Sequence, residues 1–283
     1  MSTETEGDAA RFPGVDLSRP SAARIYDWYL GGAHNWAIDR EFGARIETML
    51  PPIKALARSN RAFLGRLVRA ALDSGIRQFL DIGSGIPAVG NVHEIVRQHG
   101  ADARVVYVDY EPVAAAHSRM LLQQEEATGW AGIVQQDFLA PSAVLESPET
   151  RRLIDFDQPV CLLLIALGHF LGDEADVPGV LDRYRDRLVA GSWLGLSHIA
   201  CDDATPEQQE QMRGGAASYQ DTSNPLWLRD RAELARWFGP WPLLSPGMVH
   251  LPDWRPDVPD EPLSEEEAQA RGLAWCGVAT RPD

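Results

Sequence analysis

Gln78-Phe79-Leu80-Asp81-Ile82-Gly83-Ser84-Gly85 is the stretch whose reading decides the fold. Phe79, Leu80 and Ile82 form a short apolar run of the kind buried on both faces of a sheet. The run ends on an acid and enters a turn. There Gly83 and Gly85 let backbone approach a ligand with no Cβ in the way. The segment from Asn91 to His99 reads as the helix that follows. Strand, glycine turn and helix together make the nucleotide-binding end of an open α/β sheet.

Asp81 bears on which nucleotide. A dinucleotide sets a pyrophosphate over this turn, on the N–H groups that open the helix. Asp81 would place a carboxylate close to that anion, and like charges at short range repel. Pro87 removes an N–H that a pyrophosphate would use. S-adenosylmethionine (SAM) has no phosphate. Its ammonium, sulfonium and carboxylate sum to a charge of about +1, and Asp81 suits the ammonium, directly or through water. The competing pattern is also present: Gly83, Gly85 and Ala88 satisfy G-x-G-x-x-G/A, with Asp109 following at the spacing of a ribose-binding acid. A strand, turn and helix without a ligand is the plain structural alternative.

Outward from this stretch the pattern alternates. Strands are expected at 77–82, 104–109, 132–136, 160–166 and 193–199, with two late ones near 243–250 and 273–279. Helices are expected at about 91–99, 112–127, 177–189 and 227–238. Alternation of this kind argues for an α/β fold with a mostly parallel seven-stranded sheet covered on both faces. The two late strands are separated by four prolines and a short helix opened by the Ser264–Glu267 capping box, which predicts antiparallel pairing at the sheet edge. Upstream, residues 1–16 read as a disordered tail and residues 17–74 as a helical cap or lid. Its third helix is expected from Asn60 to Ser74. Residues 75–283 read as the Rossmann-like domain.

Composition narrows the function. Of 283 residues, 45% are hydrophobic and 24% charged, as in an ordinary globular protein. The net charge of −15 lacks the basic footprint of a nucleic-acid or membrane-surface binder. Cys161, Cys201 and Cys276 are far apart and show no ligand spacing, and His93, His99 and His117 have no regularly spaced partners, so no metal is expected. The sparse cysteines, the polar N-terminus and the lack of a long apolar run predict a cytoplasmic protein. The oligomeric state is not legible.

Ligands of open α/β sheets sit at the carboxyl ends of the strands. Around the first strand the candidates are Asp81, Gly83, Ser84, Gly85, Pro87 and Asn91. After the second strand, Asp109 or Glu111 is placed to accept from the ribose hydroxyls, and Tyr110 to pack on adenine. A helix cap at Pro112 is the structural alternative for the acids. After the third come Gln136, Asp137 and Phe138. Asp137 either accepts from the adenine amine or caps its loop, and Phe138 is placed to cover the ring. After the fourth come Ala166 and His169, and after the fifth His198. No Asp/Asn-Pro-Pro-Tyr set stands after the fourth strand, which argues against methylation of nucleic-acid bases. His169 and His198 are candidate bases or substrate ligands, against the commoner structural role of a histidine at a strand end.

Asp81-Ile82-Gly83-Ser84-Gly85 with Asp109 and Asp137 resembles the class I SAM-dependent methyltransferases. The whole chain more closely resembles the actinobacterial S-adenosyl methyltransferase family, formerly a domain of unknown function. The resemblance spans about residues 18 to 280. It rests on Arg24-Ile25-Tyr26-Asp27, Asn60-Arg61-Ala62-Phe63-Leu64, Gly90-Asn91-Val92-His93-Glu94, Val106-Tyr107-Val108-Asp109, Leu196-Ser197-His198 and Trp254-Arg255-Pro256-Asp257. It implies a class I sheet with an N-terminal helical extension. It also implies SAM as cofactor, with S-adenosylhomocysteine (SAH) as product, and SAM roles for Asp81, Gly83, Gly85, Asp109 and Asp137. It supplies no acceptor. Pro87 departs from the third glycine of the wider class.

Gly31-Gly32-Ala33-His34-Asn35 joins two amphipathic helices, and small residues let such a loop lie against a ligand. Residues 18–50 are therefore expected to form a lid, with Tyr26, Tyr29, Gly31, His34 and Asn35 as its reach. A purely structural cap is the alternative. The expected activity is methyl transfer from SAM to a small-molecule acceptor. A non-catalytic SAM or SAH binder and an NAD(P)-dependent oxidoreductase are the other readings.

Overall fold

The computed structural model describes residues 18–88, 90–259 and 261–283. The expected tail, residues 1–16, lies outside the described residues. Three helices come first: α1 (Ala22–Tyr29), α2 (Ala37–Met49) and α3 (Ile53–Asp73). There follow β1 (Gln78–Ile82), α4 (Val92–His99), β2 (Arg104–Asp109), α5 (Pro112–Gln124) and β3 (Ala131–Gln135). Next are α6 (Pro141–Leu145), α7 (Pro148–Leu153), β4 (Cys161–Ile165), α8 (Val177–Arg187) and β5 (Trp193–Ile199). The rest is α9 (Pro206–Tyr219), α10 (Arg231–Arg236), β6 (Val249–His250), α11 (Glu265–Ala270) and β7 (Ala274–Thr280).

The sheet order is β3-β2-β1-β4-β5-β7-β6. Strands β1 to β5 pair in parallel, and β7 runs antiparallel to both β5 and β6. This is the seven-stranded, mostly parallel sheet that the alternation predicts. The strand order reverses between β1 and β4, which is where such sheets bind ligands.

Side chains alternate across the sheet with the two-residue period of a strand. Phe79, Val105, Cys161 and Leu163 pack in one core with Phe63, Leu67 and Trp254. Leu80, Val106, Leu162 and Leu164 pack in the other with Leu181, Tyr184 and Trp237. Helix α3 buries its apolar stripe in the first core, so it covers the sheet directly. Helices α1 and α2 form a third cluster in which Ile25, Tyr29, Phe42 and Ile46 meet Tyr219 and Leu226. A buried charge cluster ties these helices to the end of β2. Arg24 pairs with Asp39 at 2.8 Å and with Glu111 at 3.2 Å, and Ser21 Oγ donates to Glu111 at 2.9 Å.

Several boundaries differ from expectation. Helix α3 begins at Ile53, not Asn60, because Pro52 serves as its N-cap, where a missing N–H costs nothing. The strand expected at 243–250 reduces to Val249–His250 and a bridge from Leu243 to Ala279. Pro246 interrupts it by removing a ladder donor. The helix expected at 227–238 is confined to Arg231–Arg236, since the Asp230 side chain caps it by accepting from Glu233 N. Helix α9 is not foreseen from the hydrophobic pattern. Among the described residues, no helix is long and apolar enough to cross a membrane.

Candidate functional site

A cavity of about 220 Å³ opens at the carboxyl ends of β1, β2, β4 and β5. A second hollow, of about 10 Å³, has room for no more than a water. Only the first is of a size to hold part of a nucleoside. Its wall contains Asp81, Gly83, Ser84, Gly85, Asp109, Tyr110, Glu111, Gln136, Asp137, Phe138, Ala166, His169 and His198, all singled out from the sequence.

The glycine turn is held from β2. Gly83 N and Ser84 N both donate to Val108 O, at 2.8 and 3.1 Å. Gly83 adopts φ +69°, and a Cβ there would meet the Leu167 side chain at 2.7 Å, so the position requires glycine twice over. Gly85 N donates to Asp109 Oδ2 at 2.7 Å, and Glu111 N donates to Asp109 Oδ1 at 2.9 Å. Asp109 therefore fastens the turn, and lone pairs remain on both oxygens for a ligand. Burial pushes its carboxyl upward against those backbone bonds. Glu111, the alternative ribose acceptor, is directed to Arg24 and Ser21 instead.

Asp81 is buried at the end of β1. Burial raises its carboxyl to about 7; the charge of Arg61 opposes this and that of Asp109 adds to it. Arg61 donates to Asn91 Oδ1 at 2.6 Å and to Ala88 O, which sets the start of α4 against α3. Ser84 Oγ is buried without a hydrogen-bond partner. A buried carboxylate beside a buried, unpartnered hydroxyl fits the ammonium and carboxylate of an amino acid, which is the polar end of SAM. Asp137 caps its own loop by accepting from Leu139 N at 2.8 Å. Phe138 stacks on Tyr184, with ring centroids 5.6 Å apart.

The other end of the cavity lies between β4, β5 and the first helices. Ala166 adopts φ 55°, an uncommon conformation for a residue with a Cβ. Its N–H donates to Ser197 Oγ at 3.0 Å, and Ser197 donates to Asn60 Oδ1 at 2.6 Å. Asn60 Nδ2 donates to the Tyr26 hydroxyl at 2.9 Å, which donates to Ala57 O at 3.1 Å. This relay joins β4, β5, α3 and α1 through satisfied polar groups. Beside it His169 and His198 meet edge to face, with centroids 5.3 Å apart. His198 Nδ1 lies 2.6 Å from Ile199 O and so carries the proton; its Nε2 is buried and unpartnered, as is His169 Nδ1. Burial holds both rings neutral: His169 well below its ordinary value, with His198 and Arg229 adding to the effect, and His198 at about 3.

Other expected residues stand elsewhere. Gly31, His34 and Asn35 do not line the cavity. Buried Asp27 draws the loop to itself, accepting from His34 N and Asn35 Nδ2, both at 2.8 Å. The first helices reach the cavity through Tyr26 and Tyr29 instead. Pro87 and Asn91 line only the small hollow, because Asn91 is turned to Arg61 and Glu94. The fold does bring His93 together with Glu94 and Glu125, within 4.8 Å, which spacing along the chain did not suggest. Each has protein partners: His93 Nδ1 is 2.6 Å from the Tyr107 hydroxyl, Glu94 accepts from Gly90 N and Asn91, and Glu125 from Arg97.

Asn60, Arg61, Tyr219, Asn224 and Leu226 line the cavity without having been expected there. Tyr219 sits at the end of α9, whose start is a capping box of Thr205 and Gln208, a local signal at its N-terminus. Asn224 bridges two elements: its Nδ2 bonds the Tyr110 hydroxyl and its Oδ1 accepts from Ala22 N at 3.0 Å.

The sequence model of a family described as S-adenosyl methyltransferase matches residues 8–282. Among solved structures, a candidate methyltransferase from Thermobifida fusca YX superposes with a TM-score of 0.85 at 35% identity, covering 96% of this chain and 98% of that one. A DUF574 family protein from Streptomyces avermitilis MA-4680 also gives 0.85, at 34% identity, with coverages of 94% and 99%. The SAM-dependent methyltransferase SibL, in its apo form, shares the fold at a TM-score of 0.54 and 15% identity, over 97% of this chain and 65% of that one. A search of the curated proteins finds no match.

Proposed function

This chain belongs to the S-adenosyl methyltransferase family, an enzyme family that uses SAM and leaves SAH, and from that premise we infer how its cavity divides the work. SAM supplies an activated methyl group. Asp81 receives its ammonium, Ser84 its carboxylate, and Asp109 its ribose, on lone pairs left over from the turn. Tyr110, Gln136, Asp137 and Phe138 surround the adenine. Ala166 stands where the methyl group is presented, and His169 and His198 face a small-molecule acceptor. Residues 18–50 close the site from above through Tyr26 and Tyr29. The free cysteines, two of them buried, favour a reducing cytoplasm.

The observation that carries this reading is the buried carboxylate of Asp81 in the cavity wall at the switch point of the sheet. A group raised to about 7 by burial gains most from a cation placed beside it. Positioning and exclusion of water then favour in-line transfer. The test is calorimetry with SAM, SAH and NAD. Binding of SAM and SAH that is lost in Asp81→Ala and weakened in Asp109→Ala supports the assignment. Equal affinity of Asp81→Ala for SAM overturns it.

A further inference from the structure

The charges in the cavity wall are segregated. Arg61, Asp81, Asp109, Glu111 and Asp137 all stand on the β1–β3 side or on the helix above it. Among the described residues, the lining contributed by the ends of β4, β5 and β7 contains no carboxylate and no lysine or arginine. Around it Tyr29, Phe170, Tyr219, Leu226 and Ile199 form one apolar cluster. The polar groups on this side are the Ser197–Asn60–Tyr26 relay, already satisfied within the protein, the Tyr29 and Tyr219 hydroxyls, Asn224 and the two imidazoles.

From this we propose that the acceptor is a neutral, aromatic hydroxyl compound, a phenol in chemical class, and that His169 takes its proton. The inference rests on the cofactor assignment above. An ammonium brought to this end finds no anion to replace its water, and a carboxylate finds no cation; desolvating either charge unpaired is costly. A neutral ring gains from burial among Tyr29, Phe170 and Tyr219. Its hydroxyl meets a wall that holds His169 and His198, two rings that each keep one buried nitrogen without a hydrogen-bond partner. Burial above all, and then the charges of His198 and Arg229, keeps the His169 ring unprotonated before reaction. In the step, the phenol oxygen forms a bond to the methyl carbon as the carbon–sulfur bond breaks. The electron pair of that bond stays on sulfur, and the hydroxyl proton passes to His169. One positive charge leaves the sulfonium and one arises on the imidazole, so the total charge of the cavity is unchanged.

The experiment uses the full chain saturated with SAH and three matched probes titrated by calorimetry: 2-naphthol, 2-(2-naphthyl)ethylamine as its ammonium, and 2-naphthoate. The naphthol is expected to bind at least about tenfold more tightly than either ion. With SAM in place of SAH it is expected to yield 2-methoxynaphthalene by mass spectrometry. A charged probe that binds as well as the naphthol overturns the proposal, and so does SAH binding with no naphthol binding. Failure of SAH itself to bind sinks the cofactor assignment instead. For His169, the rate with naphthol is read against pH. The wild type is expected to be flat across neutral pH. His169→Asn is expected to climb about tenfold per pH unit, as the phenol must then ionise unaided. Parallel profiles for the two proteins overturn the proton-acceptor role.

Discussion

Asp81 keeps its proton up to about pH 7, because burial disfavours the carboxylate more than Arg61 favours it. The native state then holds a proton that the unfolded chain releases. Stability from this group therefore falls as pH rises from about 4 to about 7. Asp81→Asn is expected to melt higher than wild type at pH 8 and at the same temperature near pH 4. It should bind SAM about a hundredfold more weakly, the value of a charge-assisted hydrogen bond. A variant that is both no more stable at pH 8 and unimpaired in SAM binding contradicts both halves of this account. Two steps away, Gly83 faces a positive φ and the Leu167 side chain. Gly83→Ala is expected to cost about 1–3 kcal/mol. Adding Leu167→Ala should restore the steric part only, so a double-mutant cycle with zero coupling would rule out the contact.

Among the elements, α1 and α2 hold to the sheet through Arg24, Asp39 and Glu111. Arg24→Ala leaves buried Asp39 and partly buried Glu111 without their cation, a change worth about 3–5 kcal/mol. It is expected to lower the melting temperature and speed SAH release; an unchanged release rate would show that these helices do not gate the site. The parallel strands of this architecture were legible because each is built on a short apolar run, as in Leu162-Leu163-Leu164 and Val105-Val106. Helix α9 was not, because Met212, Gly215 and Tyr219 are its only buried residues and two glycines interrupt it. The site divides in the same way. Asp81 and the glycines lie in one continuous stretch and could be read together. Asn60 meets Ser197 across 137 residues, and no local pattern announces such a contact. His34 and Asn35 looked available because the pull of Asp27 on their loop is a tertiary fact.

For the molecule as a whole, ligand binding and folding are linked. At one hundred times its dissociation constant, SAH is expected to add about 2.7 kcal/mol and raise the melting temperature on the order of 5 °C. NAD at the same concentration should leave it unmoved, and an equal shift with NAD would contradict the cofactor assignment. Calorimetric scans with each ligand measure both. The separation of charged and apolar walls in one cavity has a consequence for descent. Substitutions at Phe170, Tyr219 or Leu226 alter what fits against β4 and β5 while the glycine turn and Asp81 stay as they are. A lineage carrying this fold can exchange one acceptor for another by small steps, each intermediate still charged with the same methyl donor.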